Sequence, residues 1–467
     1  MTAVEPEAPA DAAGGRGESF PGAVPIRAGV RGVATARVVT IGERQAVLLR
    51  IDAGAARGAL AETDGDTLAA GARIAHDKRL PLVAIIASSG ADISEGVSAV
   101  AGWGRAAREI VRCSGVVPLV FVVDGPAVSG PALLLGLADH VIMVEDSYAF
   151  VSGPNMVREF TGVPVSNADL GGVAASARSN GIASVTVADL DEALEVASEL
   201  LSFLPSHLDE LPPAIPTDDP PHRPTPEAGD LIPDAAMASF DVRDVIRTLV
   251  DDEYLLELRT QWAPNMVTGL ASIAGRPVGL VANQPQSIAG TLDIPASQKG
   301  ARFVAFCDAF NLPLVTLVDT SGFYPGKDLE WRGMIRHGAQ LAFAYARATV
   351  PRIALILRKS YGGAYIVMDS KYMGNDLMMA WPSAEIAVMG AKGAVEILHR
   401  RADADERQRL EEDYEARLLN PYVAAERGSV DAVIEPDQTR SELASALDLL
   451  ATKRERLVGR RHDNTPL

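Results

Sequence analysis

Two short glycine-containing stretches are the places where this sequence could do chemistry through its backbone. In RKSYGGAYIVMDSK (358–371), Gly362 and Gly363 follow an apolar run at 351–357 and precede an Ala/Val/Met run, a pattern that predicts a strand, a tight turn and a helix. Glycines at such a turn leave backbone N–H groups unobstructed, so that they can bind an oxyanion. A lone Gly-Gly pair is more often a packing turn, but a second stretch, PAVSGPA (126–132), argues against that interpretation.

The two stretches occupy equivalent places in a repeat within the chain. The tetrapeptide LPLV occurs at 80–83 and again at 312–315. In both copies a buried strand leads to a Ser-Gly turn, a helix, a Pro-led buried strand and a small-residue turn. The landmarks that match at near-constant spacing are Ser89-Gly90 with Ser321-Gly322, Pro118 with Pro351, and Ser129-Gly130 with Gly362-Gly363. The repeat predicts two homologous domains, each with one backbone oxyanion site.

Composition limits the classes of protein to consider. With 467 residues, 48% of them hydrophobic, the chain should form two domains of a well-packed α/β protein. A net charge of −18 disfavours nucleic acid as a partner. Cys113 and Cys307 are the only cysteines, too few for a disulfide framework or a four-cysteine zinc site. No apolar run is long enough for a membrane span and no signal peptide is evident. Together with the low cysteine count, this leads us to expect a cytoplasmic protein without a metal.

Composition shifts along the chain predict its organisation. Residues 1–24 are rich in Ala, Pro, Gly and Glu and should be a disordered N-terminal tail. An N-terminal domain is expected over 25–211 and a C-terminal domain over 236–467. Between them, 212–235 is a proline-rich linker.

Few side chains are candidates for acid–base or nucleophilic chemistry. His140 and His337 lie in apolar or Arg-rich surroundings, which favours packed or surface roles. Ser360 and Tyr361 could act as a nucleophile or an acid, but RKSYGG lacks the G-x-S-x-G pattern of a nucleophile elbow. Two oxyanion sites without an obvious nucleophile suggest a reaction that passes through enolates.

Several segments resemble one family of enzymes. NQPQSIAGTLDIPASQKGARFVAFCDAFNLPLVTLVDTSGFYPG, RHGAQLAFAYARATVP, RKSYGGAYIVMDSK and AWPSAEIAVMGAKGAVEIL resemble the C-terminal half of biotin-dependent acyl-CoA carboxylase β subunits. The resemblance is dense over 262–400 and looser before residue 160, where SSGADISEG, SGPNMV and TGVPVSNADLGG still fit. These carboxyltransferases belong to the crotonase superfamily, and the short actinobacterial acetyl/propionyl-CoA type is most similar. The resemblance implies an α/β fold of two tandem crotonase-like (ββα-superhelix) domains.

The resemblance also implies a reaction and its sites. Carboxybiotin on a carrier domain would supply both the CO2 and the base, and acetyl-CoA or propionyl-CoA would become malonyl-CoA or methylmalonyl-CoA. The catalytic backbone groups would be those of Gly363 and Ala364, facing biotin, and of Ser129 and Gly130, facing the thioester. The biotin-side pocket would comprise Tyr361, Gly362, Tyr365 and Ile366, and the CoA side Ser89, Gly90, Ala91, Gly153 and Pro154.

Partners follow from the same resemblance. We expect a biotin carboxylase/biotin carrier α subunit, and self-association into a dimer and then a hexamer built as a trimer of dimers. CoA would bind mainly to the N-terminal domain, and biotin to the C-terminal domain of the other subunit. A small accessory subunit is left open, and neither nucleic acid nor a membrane is expected.

The N-terminal half departs from the family pattern in three ways. Ser129-Gly130 stands where Gly-Gly is common, Pro131 lacks an N–H, and Asp92 replaces an arginine that could hold CoA phosphates. Two alternatives therefore remain. The chain could be a weakly active or non-catalytic subunit that binds the carrier and assembles with an active paralogue, or it could be a biotin-dependent decarboxylase or transcarboxylase. Ile366, where propionyl-type relatives carry Asp, predicts that acetyl-CoA is accepted at least as well as propionyl-CoA, unless Ile366 is simply a core residue.

Overall fold

A computed structural model describes residues 20–26, 32–233, 235, 238–453, 455, 457, 459 and 464–466. Most of the predicted N-terminal tail, 1–19, lies outside these residues. The part that is described is not free: Phe20 and Ala23 pack against the largest hydrophobic cluster, and Val24–Pro25 pairs with the next strand.

The N-terminal half is built on an eight-stranded sheet. Its strands are β1 (Val24–Pro25), β2 (Ala34–Ile41), β3 (Arg44–Ile51), β5 (Leu82–Ser88), β7 (Leu119–Val128), β8 (His140–Val144), β9 (Tyr148–Phe150) and β10 (Val185–Val187). Two further short strands, β4 (Ala59–Leu60) and β6 (Gly90–Ala91), pair separately. The sheet order is β1-β2-β3-β5-β7-β8-β10, with β9 paired to the end of β7. The strands from β3 onward are parallel, which requires helical crossovers.

Seven helices accompany this sheet within the described residues: α1 (Glu62–Lys78), α2 (Val97–Cys113), α3 (Gly130–Leu135), α4 (Pro154–Thr161), α5 (Asn167–Gly171), α6 (Val173–Arg178) and α7 (Leu190–Ser202). Helix α1 begins only at Glu62, because Ala59 and Leu60 form strand β4.

The C-terminal half repeats the same plan. Its strands are β11 (Leu256–Leu258), β12 (Met266–Ile273), β13 (Arg276–Asn283), β14 (Leu314–Thr320), β15 (Arg352–Tyr361), β16 (Leu377–Ala380), β17 (Glu385–Ala387) and β18 (Ala432–Val433). They follow the order β11-β12-β13-β14-β15-β16-β18, with β17 paired to the end of β15. The helices are α8 (Glu227–Asp230), α9 (Val242–Leu249), α10 (Ile294–Ala309), α11 (Lys327–Trp331), α12 (Met334–Arg347), α13 (Gly362–Val367), α14 (Ala391–Leu398), α15 (Ala404–Tyr414), α16 (Pro421–Glu426) and α17 (Thr439–Leu450).

The repeat extends to irregular details. The pairing register shifts between Ile86 and Ser88 in the first sheet and between Val318 and Thr320 in the second. Each shifted strand then enters a turn in which a hydroxyl, from Ser88 or Thr320, accepts the N–H of a glycine two residues on. A shared irregularity is stronger support for duplication than shared strands, because many α/β folds alternate strands and helices. The repeat predicted from sequence is confirmed.

The proline-rich segment at 212–235 is tightly packed against the C-terminal half. The Ile215 N–H donates to the Gly275 carbonyl at 2.8 Å, and the buried Thr225 donates through its N–H to the Asp437 carbonyl at 2.9 Å. Fully buried Arg440 donates to the carbonyls of Asp219 and Pro220 and to the Asp251 carboxylate. Backbone acceptors therefore anchor a segment that has few apolar side chains.

The two halves share a hydrophobic core. One cluster combines N-terminal residues such as Leu200 and Ile142 with C-terminal aromatics such as Phe303 and Phe306. The His140 ring packs edge-on against Phe306 with centroids 4.5 Å apart. Arg302 adds a charged contact, donating to the Ala138 carbonyl at 2.7 Å and lying 3.7 Å from the Asp139 carboxylate.

Candidate functional site

The C-terminal turn joins β15 to α13 through a glycine with a positive φ. Gly362 has φ +60°, a value that L side chains rarely adopt. A Cβ at Gly362 would lie 3.1 Å from the Val388 carbonyl oxygen. The turn therefore needs glycine at position 362 for its conformation as well as for space.

The next two residues open the helix that follows. Gly363 is exposed, and a Cβ there would lie 3.3 Å from the Phe323 ring; Ala364 is buried. Accessible backbone beside Phe323 and the exposed side chains of Tyr324 and Val388 forms a mainly apolar surface with N–H donors. A surface of this kind can bind a flat, uncharged ring that accepts hydrogen bonds at its edge.

The predicted biotin-side residues have different surroundings. The Tyr361 hydroxyl donates to the Glu385 carboxylate, and burial, with this hydrogen bond, raises the Tyr361 pKa above its ordinary value. Burial raises the pKa of Tyr365 to about 12, and its hydroxyl donates to the Ser429 carbonyl at 3.5 Å. Ile366 is half-buried and packs against the large core cluster. Both phenols stay protonated near neutral pH, so neither is a general base.

The N-terminal turn has the same shape with a different residue. Ser129 follows β7 and is the N-cap of α3, with φ +63° and ψ −122°; this φ is close to the +60° of Gly362. An L residue held in this region is strained by about 1–3 kcal/mol. The Ser129 N–H donates to the Phe150 carbonyl of β9 at 3.0 Å. We predicted a thioester site that includes the Ser129 backbone; that N–H is already paired, so only the side chain of Ser129 is left to meet a ligand.

Gly130 lies under an indole ring. A Cβ at Gly130 would come within 2.6–2.8 Å of three atoms of the Trp103 ring, including Nε1, so this position accepts only glycine unless Trp103 moves. Pro131, the counterpart of Ala364, has no N–H. Among positions 129–131, the Gly130 N–H is thus the backbone donor that remains unassigned.

Ser89, Gly90 and Ala91 form a neighbouring turn. Gly90 has φ +110°, and a Cβ there would lie 3.6 Å from the Ser129 Cβ. The Ser89 N–H donates to the Arg57 carbonyl at 3.1 Å, and Gly90–Ala91 pairs with Ala59–Leu60 as strand β6. The structure therefore brings this predicted CoA-side turn against Ser129.

Gly153 and Pro154 lie farther along the same wall. Gly153 caps α4, Pro154 is its first residue, and a Cβ at Gly153 would be 3.4 Å from the Phe150 ring. Because Phe150 accepts the Ser129 N–H, its strand links α4 to the N-terminal turn. The predicted CoA-side residues thus form one continuous region around β9 and α3.

Asp92 keeps a negative charge beside this region. Its carboxylate accepts the N–H of Ser94 at 2.9 Å and the Ser94 hydroxyl at 2.7 Å, and these hydrogen bonds hold its pKa below the ordinary value. Near neutral pH Asp92 is therefore ionised, which is unfavourable for a phosphate placed next to it.

Histidine and metal chemistry find little support among the described residues. His140 is buried, and desolvation, followed by the charges of Arg259 and Arg302, lowers its pKa well below the ordinary value. His337 contacts Gln298 and Gln340. Within the described ranges no group of three His, Cys, Asp or Glu side chains is placed to hold a metal ion, and no helix there is long and apolar enough to cross a membrane.

Comparison with known proteins decides the family. The family model described as "Carboxyl transferase domain" matches residues 28–465. This chain belongs to the carboxyl transferase family. It is 45% identical over 429 residues to the propionyl-CoA carboxylase beta chain of Saccharopolyspora erythraea, covering 88% of this chain and 79% of the relative. It is also 43% identical over 446 residues to the biotin-dependent acetyl-/propionyl-coenzyme A carboxylase beta5 subunit of Mycobacterium tuberculosis (strain CDC 1551 / Oshkosh), covering 92% and 81%.

A solved structure matches over nearly the whole chain. The transcarboxylase 12S hexamer, with methylmalonyl-coenzyme A and methylmalonic acid bound, superposes with a TM-score of 0.91 at 40% identity, covering 93% of this chain and 85% of the other. The predicted α/β fold of two tandem crotonase-like domains is confirmed. The chain is a carboxyltransferase of the biotin-dependent acyl-CoA carboxylase and transcarboxylase class, as the resemblance implied.

Three residues beside the site were not predicted from the sequence. Trp103 covers Gly130, Phe150 accepts the Ser129 N–H, and Phe323 lies against Gly363. Phe323 had a visible signal, because it directly follows the Ser321-Gly322 landmark. Trp103 lies in the interior of α2, where an aromatic residue is usually a packing residue, and no neighbouring sequence motif indicated a functional role.

Proposed function

We propose that this chain is the carboxyltransferase subunit of an acyl-CoA carboxylase, which transfers CO2 from carboxybiotin to the α-carbon of a short acyl-CoA. The observation that carries the proposal is the pair of equivalent strand–turn–helix units, Ser129-Gly130 and Gly362-Gly363, within a chain of the carboxyl transferase family. A reaction with two enolate-like oxygens needs one set of preorganised donors for each.

The two turns divide the work. At the C-terminal turn, Gly363 and Ala364 would present N–H groups to the ureido oxygen of biotin beside Phe323. Biotin, on a carrier domain of a partner, supplies the carboxyl group and the base when bound there. At the N-terminal turn, Gly130 would present its N–H to the thioester oxygen, and the wall formed by Gly90, Gly153 and Pro154 would hold the acyl-CoA. This chain thus contributes orientation and dipoles.

Propionyl-CoA is proposed as the preferred substrate, giving methylmalonyl-CoA. The first relative described above is named for propionyl-CoA and the second for both acetyl- and propionyl-coenzyme A, and the 12S structure contains methylmalonyl-coenzyme A. The prediction that acetyl-CoA serves at least as well rested on Ile366. That side chain packs against the core cluster, which supports the alternative that it is a packing residue. We keep acetyl-CoA as a slower substrate.

An α subunit that carries biotin and a hexamer of this chain are proposed as its assembly. Both halves carry exposed apolar side chains: Ile93, Val97, Leu133, Met156 and Phe160 in the first half, and Tyr324, Trp331, Ile335 and Val388 in the second. Apolar surface of this extent is typical of protein interfaces. Contact between the first half of one subunit and the second half of another would place the two turns opposite each other. A cytoplasmic location and an accessory subunit remain predictions.

A transcarboxylase is the second candidate, because the 12S structure that matches so closely is one. A decarboxylase would use the same chemistry. A weakly active subunit that assembles with an active paralogue is favoured by the altered turn at Ser129 and by the negative charge of Asp92.

Carboxylation with a complete complex separates these candidates. The chain, purified with its biotin-carrying subunit, is supplied with ATP, labelled bicarbonate and either propionyl-CoA or acetyl-CoA, alone and in competition. We expect labelled methylmalonyl-CoA to form faster than malonyl-CoA. A faster reaction with acetyl-CoA would overturn the substrate preference. Failure to carboxylate any acyl-CoA, with transfer from methylmalonyl-CoA to another acceptor intact, would favour a transcarboxylase; loss of both would leave only the assembly role.

A further inference from the structure

The N-terminal turn retains a strained residue whose backbone donor is already used. Ser129 has the φ of +63° that its counterpart meets with glycine, Gly362 at +60°. Its N–H is paired with the Phe150 carbonyl, and the following Pro131 offers no N–H. Glycine at position 129 would remove the backbone strain, so a serine retained there implies a role for its side chain.

The side chain is placed where that role can be filled. Ser129 is exposed, and its Cβ faces the Gly90 turn, 3.6 Å from where a Cβ of Gly90 would be. On the other side, Trp103 covers Gly130. Within the part of the chain that the structure describes, the Ser129 hydroxyl has no hydrogen-bond partner. The Ser129 hydroxyl therefore lies beside the Gly90 turn, which is predicted to bind CoA, and its O–H is free to donate.

We propose that the Ser129 hydroxyl is a side-chain donor to the thioester oxygen of the acyl-CoA, replacing the backbone donor that this turn lacks. The inference rests on the proposed function. With the Gly130 N–H it would make two donors, as Gly363 and Ala364 offer at the other turn. The hydroxyl keeps its proton throughout, and its hydrogen bond shortens and strengthens as negative charge develops on the oxygen. Ser129 is then a catalytic residue.

Two substitutions separate the hydroxyl from the backbone. Ser129→Ala removes only the hydroxyl, whereas Ser129→Gly also relieves the backbone strain. The full chain is assayed for transfer of the carboxyl group from methylmalonyl-CoA to free biotin, which gives propionyl-CoA and carboxybiotin. This reaction passes through the same thioester enolate. We expect both variants to lose 10- to 1,000-fold in kcat with less than a threefold change in KM. Ser129→Gly should unfold at the same or a higher temperature, so misfolding cannot explain its loss. The matched control is Ser202→Ala on α7, whose hydroxyl donates to the Glu199 carbonyl away from the site.

A spectroscopic measurement tests the donor without turnover. Infrared difference spectra of propionyl-CoA labelled with ¹³C at the thioester carbonyl should show a C=O stretch at lower frequency on the wild type than on Ser129→Ala. If the wild type shows the shift but no reaction, the donor stands and the proposed function fails. Equal spectra, or Ser129→Gly turning over as fast as wild type, would overturn the donor. An acyl adduct on Ser129 found by mass spectrometry would also overturn it, since the hydroxyl would then be a nucleophile.

Discussion

Single residues decide how the two turns differ, and φ is the quantity that matters at each. A φ near +60° is adopted by glycine at Gly362 and by serine at Ser129. At Gly362 a side chain would add strain and approach the Val388 carbonyl. At Ser129 the backbone is strained, but the side chain has room beside the Gly90 turn and supplies a hydroxyl there.

Substitution at the C-terminal turn should separate conformation from space. Gly362→Ala should reduce the free energy of unfolding by about 1–3 kcal/mol, because alanine at φ +60° is strained. Gly363→Ala is the matched variant: position 363 has no positive φ, and only the Phe323 ring, 3.3 Å away, must give. It should cost less than about 1 kcal/mol. Urea unfolding measures both, and equal costs would contradict the role of φ.

Gly130 and Trp103 should be coupled. Gly130→Ala places a Cβ 2.6–2.8 Å from the indole and should cost about 1–3 kcal/mol by overpacking. In a Trp103→Ala background the same change should cost much less, because the obstructing ring is gone. A double-mutant cycle of unfolding free energies gives the coupling. Additive costs would show that the indole can move away freely.

At the scale of the elements, a buried lysine of α10 binds the segment that leads into β12. Lys299, in α10, donates to the carbonyls of Arg259, Trp262, Ala263 and Met266 at 2.7–3.4 Å. Its side chain is almost wholly buried, and burial lowers its pKa to about 7. The Lys299 ammonium thus adds a donor to four carbonyls, of which those of Arg259 and Ala263 also accept the N–H groups of Trp262 and Met266.

Removing that ammonium should be costly. Lys299→Met keeps the length of the side chain but removes the ammonium from four carbonyls, of which those of Arg259 and Ala263 still accept backbone N–H groups. It should reduce the unfolding free energy by about 1–3 kcal/mol. Lys78→Met, at the end of α1, is the control and should change stability by less than about 0.5 kcal/mol. Denaturant unfolding of the two variants provides the comparison, and equal stability would show that water replaces the ammonium at no cost.

At the scale of the whole molecule, the contact between halves includes a titrating group. Burial raises the pKa of Asp139 to about 6, although Arg302 and the Leu119 N–H favour its ionised form. The folded pKa is thus above the unfolded value near 4. The stability that Asp139 contributes is therefore complete below about pH 4 and is lost as the pH rises to about 6.

Asp139→Asn should remove this dependence, since asparagine stays neutral. The free energy of unfolding of the wild type relative to Asp139→Asn should fall by about 2–3 kcal/mol between pH 4 and pH 7. Thermal or denaturant unfolding across this range measures the difference. A constant difference would mean that Asp139 titrates in the folded protein as it does in the unfolded chain.

Assembly is the other property of the whole molecule. Phe160 on α4 and Ile335 on α12 are exposed by 83% and 84%. Phe160→Asp and Ile335→Asp should each reduce the oligomer measured by light scattering and lower activity while leaving the subunit folded. Leu449, exposed by 78% on α17, supplies the control Leu449→Asp, which should leave the oligomer intact. The reverse pattern would place the interface elsewhere.

The sequence by itself determined the family, the repeat and the place of both turns. Apolar runs such as 82–88 and 314–320 are continuous because parallel strands are buried on both faces, and that pattern is legible without a structure. Glycine at turns is equally legible, since few other residues adopt a positive φ.

Only the tertiary structure decided which groups are free to act. The pairing of the Ser129 N–H with Phe150, the indole over Gly130 and the four carbonyls around Lys299 join residues that are far apart in the chain. Such contacts depend on how strands and helices meet, which local periodicity does not encode. The chain order thus located the N-terminal turn, and the folded geometry showed that the Ser129 N–H is paired while the Ser129 hydroxyl is not.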